Sequence, residues 1–280
     1  MAATHLPARL DHRVFADGLD HVEGVCWDPT RRCLWGGGEA GQVYRMNLDG
    51  TTTTTVTIEG GALLGIALDG AGRLYVCDPG NHQVWRVFED ASVEPFGDAI
   101  DYPNYAAFSP DGLLYVSDSG SFDEPTGQLV VMDASGATSR VNTRPLGFAN
   151  GLCCDATTLW VVESSVPGVS AYDLVSGEFE LVVKMERCTP DGLALDDAGG
   201  LLISCYQPNQ LWRWTRDDGL ALLFDDWTGE YLLSPTNVAF YGDALDRLAL
   251  ASLCGRTVSS LAPPYAGVAP YYPNFEGRIT

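Results

Sequence analysis

Glu23, Asn104, Asn150, Asp191 and Asn237 each open a short run of small and apolar residues, and Leu64 opens a sixth. The runs are Glu23-Gly-Val-Cys-Trp-Asp28, Leu64-Gly-Ile-Ala-Leu-Asp69, Asn104-Tyr-Ala-Ala-Phe-Ser109, Asn150-Gly-Leu-Cys-Cys-Asp155, Asp191-Gly-Leu-Ala-Leu-Asp196 and Asn237-Val-Ala-Phe-Tyr-Gly242. Their starts lie 41, 40, 46, 41 and 46 residues apart. Five of the six carry a side-chain oxygen, and two of those are carboxylates. Such oxygens converging from separate elements would suit a hard cation, Ca²⁺ before Mg²⁺, with Asn carbonyls as neutral ligands. Asn or Asp before Gly also opens ordinary turns, so Asn150-Gly and Asp191-Gly carry little alone. The chain holds its own control. Pro110-Asp111-Gly112 resembles Pro190-Asp191-Gly192, yet Asp111 falls seven residues after Asn104, in a hairpin turn. Asn237, after Pro235-Thr236, has the weakest case and is expected in a supporting or backbone-bonding role.

Other chemistries find less support. There is no G-x-S-x-G nucleophile elbow. His5, His12, His21 and His82 are too scattered for a His-rich transition-metal centre. His21, two residues before Glu23, shares its strand face and is a candidate substrate contact. Glu163, on the second strand of the Asn150 repeat, is expected at the surface or behind the site. None of the eight cysteines forms a C-x-x-C pair, so they are expected to be reduced, small core residues.

The elements that must hold these residues are strands. After each run comes a turn such as Asp69-Gly-Ala-Gly72, then a second apolar strand such as Arg73-Leu-Tyr-Val-Cys77. A third strand often carries an aromatic, as in Leu211-Trp-Arg-Trp214, and a fourth precedes the next run. Four strands per repeat, six times over, predict an all-β fold, a six-bladed β-propeller. Residues 13–16 precede the first run, and Val258-Ser-Ser-Leu261 follows the last. The N-terminal strand should therefore pair with the last blade and close the ring. The expected organisation is a single domain over residues 1–280, with the Pro- and Tyr-rich tail, 262–280, extended over the surface.

Composition narrows the class. Lys and Arg number 16 against 37 Asp and Glu in 280 residues, a formal net charge of −21. That excess disfavours nucleic acid and anionic membrane surfaces. No apolar run approaches the roughly 20 residues of a transmembrane helix. The first eleven residues lack the apolar core of a signal peptide. A soluble, cytoplasmic protein is expected; the oligomeric state is not legible.

Several motifs in order carry a family resemblance: His21-Val-Glu-Gly24 with Trp27-Asp-Pro29, Asn104 with its Ser-Pro-Asp-Gly turn, Leu146-Gly-Phe-Ala-Asn-Gly151, Thr189-Pro-Asp-Gly-Leu-Ala194 and Ser234-Pro-Thr-Asn-Val-Ala239. Over residues 13 to 261 the chain resembles the senescence marker protein 30, gluconolactonase and luciferin-regenerating enzyme family. The resemblance implies a divalent metal, usually Ca²⁺ with Mg²⁺, Mn²⁺ or Zn²⁺ as alternatives, held by Glu23, Asn150 and Asp191. It implies that Asn104 approaches the metal and contacts substrate, and that Asp191 also serves as general base. Family members acting on aldonolactones often carry Arg two residues before the Asn matching Asn104. Here Tyr102 stands in that place, which predicts a less polar substrate contacted by Tyr102. Tyr105, Phe122, Phe148, Tyr206 and Trp227 are candidates for loops over the mouth, with blade packing the favoured alternative for each.

The expected activity is thus metal-dependent hydrolysis of a lactone or similar carboxylic ester, on a small-molecule substrate. Two alternatives stand beside it. The same metal scaffold could run a dehydration, condensation or phosphoester hydrolysis, or the propeller could be a non-enzymatic binding module.

Overall fold

The computed structural model describes residues 11–274; His5 and the ends of the chain, 1–10 and 275–280, lie outside them. Among these residues there are strands and turns but no helix, and so none long and apolar enough to cross a membrane. The strands run in chain order. A lone first strand, β1 (Asp11–Ala16), is followed by blade 1: β2 (Gly24–Asp28), β3 (Cys33–Gly37), β4 (Gln42–Asn47) and β5 (Thr52–Thr57). Blade 2 is β6 (Ile66–Leu68), β7 (Leu74–Asp78), β8 (Gln83–Val87) and β9 (Val93–Phe96). Blade 3 is β10 (Pro103–Phe108), β11 (Leu114–Asp118), β12 (Gly127–Met132) and β13 (Thr138–Leu146). Blade 4 is β14 (Ala149–Cys154), β15 (Thr158–Glu163), β16 (Gly168–Asp173) and β17 (Phe179–Lys184). Blade 5 is β18 (Thr189–Leu195), β19 (Leu201–Gln207), β20 (Gln210–Thr215) and β21 (Gly219–Asp225). Blade 6 takes β22 (Pro235–Tyr241), β23 (Arg247–Ser252) and β24 (Val258–Ala262), and its outer strand is β1.

This is the six-bladed propeller expected from the repeat. Each blade is a four-stranded antiparallel meander. The closure also falls where expected: β1 runs antiparallel to β24 from Asp11 opposite Ala262 to Ala16 opposite Val258. Closure gives blade 6 its fourth strand and leaves only the short outer edge of each blade.

The hydrophobic core is divided among the gaps between blades. Phe15, Trp27, Met46 and Tyr241 fill the gap between blades 6 and 1. Tyr75, Phe96, Phe108 and Met132 fill that between blades 2 and 3, where Tyr75 meets both Phe rings edge-on. Each blade is therefore a wedge with apolar residues on both faces. Burying them against two neighbours is what stabilises the ring.

Aspartates closing the first hairpins hold the far end. Asp28 accepts the indole N–H of Trp35 at 3.1 Å, and Asp155 that of Trp160 at 2.9 Å. Asp69 pairs with Arg73, and Asp196 with Arg213. These acids recur as regularly as the run openings, but their oxygens are spent on turns and neighbouring side chains.

The tail crosses that same end. Val268 N donates to Leu195 O at 2.9 Å, Gly70 N to Pro273 O at 2.9 Å, and the Tyr272 hydroxyl to Trp27 O at 3.1 Å. Residues 263–274 thus link blades 5 and 6 to blades 1 and 2 across the channel axis.

Candidate active site

The innermost strand of each blade carries the run opening at the end opposite the tail. Asn104, Asn150 and Asp191 sit where the register between first and second strands skips: between Pro103 and Tyr105, Ala149 and Leu152, and Pro190 and Leu193. A β-bulge of this kind re-aims a side chain out of the ladder's alternation. The bulges explain how polar residues can face the axis at the head of otherwise apolar strands.

The bulge in β22 lies between Pro235 and Val238 and corrects the sequence reading of blade 6. Val238 pairs with Leu250 as Leu193 pairs with Ile203, so Thr236, not Asn237, is the counterpart of Asp191. Asn237 holds the position that is glycine in Gly24, Gly65, Gly151 and Gly192. Its backbone N donates to Glu23 O at 3.3 Å, just as Gly65 N donates to Asn104 O at 2.7 Å. The Thr236 hydroxyl also bonds Glu23 O, at 2.9 Å.

That following position is crowded by the next blade. A Cβ at Gly24 would lie 2.0 Å from Leu64 O, and one at Gly151 would lie 2.3 Å from Asp191 O. Glycine there lets the inner strands approach closely enough to bring their openings together.

The polar network is centred on Asn150. Its Nδ2 donates to Asp191 Oδ2 at 3.2 Å and to Ser164 Oγ at 3.2 Å. Ser164 in turn donates to Pro190 O at 2.7 Å, tying blade 4 to the Asp191 bulge. With the amide so turned, Asn150 Oδ1 is buried with no hydrogen-bond partner. Asn237 Oδ1 is in the same condition. A buried unpaired acceptor costs roughly 1–3 kcal/mol and asks for a donor or a cation.

The two carboxylates are under the same strain. Burial pushes Glu23 up to about 8, helped by the negative charges of Asp191 and Glu39. Burial also pushes Asp191 up to about 7, against the hydrogen bond from Asn150. Two acids that repel one another beside an orphaned amide oxygen form a donor set that fits a hard dication. Asn104 is buried at the same level, on β10. No cluster of three or more His, Cys, Asp or Glu side chains occurs among the described residues, so this set of two acids and amide oxygens is the candidate centre.

The rim is formed two residues earlier in each repeat. His21 lies there in the left-handed region at φ 41°, its Nδ1 3.3 Å from Asp20 and 3.4 Å from Glu39. Tyr102 is partly exposed and close enough to Glu23 for that charge to raise its pKa, though burial raises it more. Phe148 packs against Tyr102, with ring centroids 5.9 Å apart. Burial chiefly raises the pKa of Tyr206, with the charges of Glu23 and Asp191 as smaller causes, and the residue belongs to the mouth. Tyr105 instead is buried beneath the site, and Trp227 stands out in solvent.

Glu163 is neither at the surface nor among the run openings. It is fully buried, gripped by the Arg144 guanidinium at 2.6 and 2.8 Å, and accepts Gly147 N at 2.9 Å. The guanidinium and hydrogen bonds hold its carboxyl below the usual range despite burial. It pins the turn that presents Phe148 and Asn150. Spacing alone could not show this, because Arg144 belongs to the preceding blade.

Below the openings lies a cavity of about 100 Å³. Cys26, Ala67, Ala107, Cys153, Ala194 and Ala239 occupy equivalent positions around it, and Tyr271 and Tyr272 of the tail close its far end. Small residues at one level leave this bore open. All eight cysteines are free thiols; five are buried and Cys26 and Cys153 half-buried, but Cys254 is exposed and so is not a core residue.

Residues 21–253 match the family described as the SMP-30/Gluconolactonase/LRE-like region. The chain belongs to that family. Among solved structures it is similar to a gluconolactonase from Xanthomonas campestris, at 19% identity and TM-score 0.77, with 91% of this chain and 90% of that one covered. A luciferin-regenerating enzyme matches at 18% identity and TM-score 0.79, covering 94% and 99% of the two chains. A calcium-binding protein, regucalcin, from Agrobacterium tumefaciens matches at 17% identity and TM-score 0.80, covering 94% and 97%. At such identities the SMP-30/gluconolactonase likeness establishes a shared fold. No curated protein sequence matches the chain.

Proposed function

We propose that this protein is a metal-dependent hydrolase of lactones or similar carboxylic esters, with Ca²⁺ the favoured ion. The observation that carries the reading is the pair of raised carboxylates, Glu23 and Asp191, beside the unpaired Asn150 Oδ1. Glu23, Asn150, Asp191 and Asn104 would hold the ion. When bound, it supplies Lewis-acid polarisation of the carbonyl and stabilises the negative charge that develops on its oxygen. The gluconolactonase neighbour and the calcium-binding neighbour are consistent with both halves of the reading.

The chain's own residues do the rest. Asn150 Nδ2 occupies Asp191 Oδ2, which leaves Oδ1 to take the proton of the attacking water. A raised pKa suits that task, although ligation of the ion lowers the same basicity. Water adds to the carbonyl carbon, the ring C–O bond breaks, and the proton held on Asp191 passes to the leaving alkoxide, which gives the hydroxy acid and frees the base. Asn104 and Tyr102 orient the substrate, with His21 on the rim of blade 1. A small neutral molecule is the partner we assign, and eight free thiols fit a reducing cytoplasm.

Calorimetric titration with Ca²⁺ and pH-stat assay of a lactone panel test this reading. Wild type should bind one ion, and Asp191→Asn should lose both tight binding and at least about 100-fold in turnover. Equal Ca²⁺ binding in wild type and Asp191→Asn would sink it.

A further inference from the structure

Beside the carboxylate pair stands a wall of three aromatic rings drawn from different loops. Tyr102 precedes β10, Phe148 precedes β14, and Phe122 lies in the turn between β11 and β12. Phe122 packs edge-on against Phe148 with centroids 5.2 Å apart, and Phe148 packs against Tyr102 at 5.9 Å. Unlike the core aromatics, the outer two rings remain open to solvent, 52% for Phe122 and 39% for Tyr102. The wall is contiguous with the chemistry, since Tyr102 and Phe148 lie two residues before Asn104 and Asn150.

The surrounding structure holds this wall at a cost. Phe148 occupies the left-handed region at φ 53°, unfavourable for a bulky residue. Its carbonyl accepts Ser164 N at 3.2 Å, and the preceding Gly147 N is held by buried Glu163. Tyr102 N is fixed by Asp118 Oδ1 at 3.0 Å. Strain at one ring, two restraints on its turn and one on the neighbouring ring set the wall's position. The charges in the same loops, Asp101, Asp123 and Glu124, are exposed and negative, and would repel an anionic substrate.

We infer that the Tyr102–Phe148–Phe122 wall receives the apolar substituent of a neutral substrate, so that the substrates are alkyl- or aryl-substituted lactones rather than polyhydroxylated ones. The inference rests on the lactonase reading, because the wall is assigned to the substrate of that site. Its recognition is by ring stacking and burial of hydrocarbon, which need no hydrogen-bonding group on the substituent.

Lactams, which resist hydrolysis, separate recognition from reaction. In calcium-containing buffer, calorimetry should show 4-phenylpyrrolidin-2-one binding at least about tenfold more tightly than pyrrolidin-2-one. In Phe122→Ala that advantage should fall below about threefold, whereas Val175→Ala, on an exposed distant loop, should keep it. Equal affinity of the two lactams for wild type, or an undiminished advantage in Phe122→Ala, overturns the inference. The matching lactones are then assayed by pH-stat. A phenyl preference in binding without turnover of either lactone would leave the wall standing and remove the hydrolase reading. Turnover of both lactones with no phenyl preference in binding would do the reverse.

Discussion

At the scale of single residues, the candidate site stores electrostatic strain. Glu23 at about 8 and Asp191 at about 7 bind protons more tightly in the folded than in the unfolded chain. Between about pH 5 and pH 8 the folded state therefore carries the extra protons, and stability falls as pH rises through that window. Below the unfolded carboxylate values both states are protonated and the effect is absent. In chelator, the melting temperature should accordingly decline from pH 5 to pH 8. Glu23→Gln should raise the pH 8 value by roughly 5 °C, and Ca²⁺ should stabilise wild type but not the variant. Identical chelator-treated melting curves for the two proteins at pH 8 would count against a strained pair. The sequence exposed Glu23 and Asp191 through their phase in the repeat. It could not expose Ser164 or Glu163, whose partners lie on other strands or another blade. Nor could it separate Thr236 from Asn237 as the blade 6 opening, because the bulge that shifts them shows only in cross-strand register, although the weak case for Asn237 and its backbone-bonding role were legible.

At the scale of elements, the inner strands carry the site as a set. Strand count, blade order and ring closure were legible because alternation and turn chemistry repeat with a nearly constant period. The bulges were not, since they show only in cross-strand register. Their consequence is testable through a residue with no functional side chain. Gly151→Ala places a Cβ 2.3 Å from Asp191 O, so β14 and β18 must separate at the point where Asn150 reaches Asp191. We expect a loss of about 1–3 kcal/mol in stability and at least tenfold weaker Ca²⁺ binding by calorimetry. Unchanged affinity would show that the close approach of these strands does not set the site.

At the scale of the whole molecule, the tail ties blades 5 and 6 to blades 1 and 2 and closes the lower bore. Its aperiodic sequence placed it over the surface but did not show which end of the channel it would cross. Tyr272→Phe deletes the hydroxyl that bonds Trp27 O, a loss of about 1 kcal/mol, and should lower the melting temperature by about 2–4 °C. No shift would mean that this contact adds nothing to the ring.

The pairing of β1 with β24 also sets a timetable. During synthesis Asp11 leaves the ribosome long before Ala262, its partner across the ladder. At roughly 5–20 residues per second the wait is on the order of ten seconds or more. Throughout it, β1 is made and unpaired, because the strands of blade 6 that receive it come last in the chain. The charged start of β1, Asp11 and Arg13, gives the waiting strand some protection from pairing with another copy.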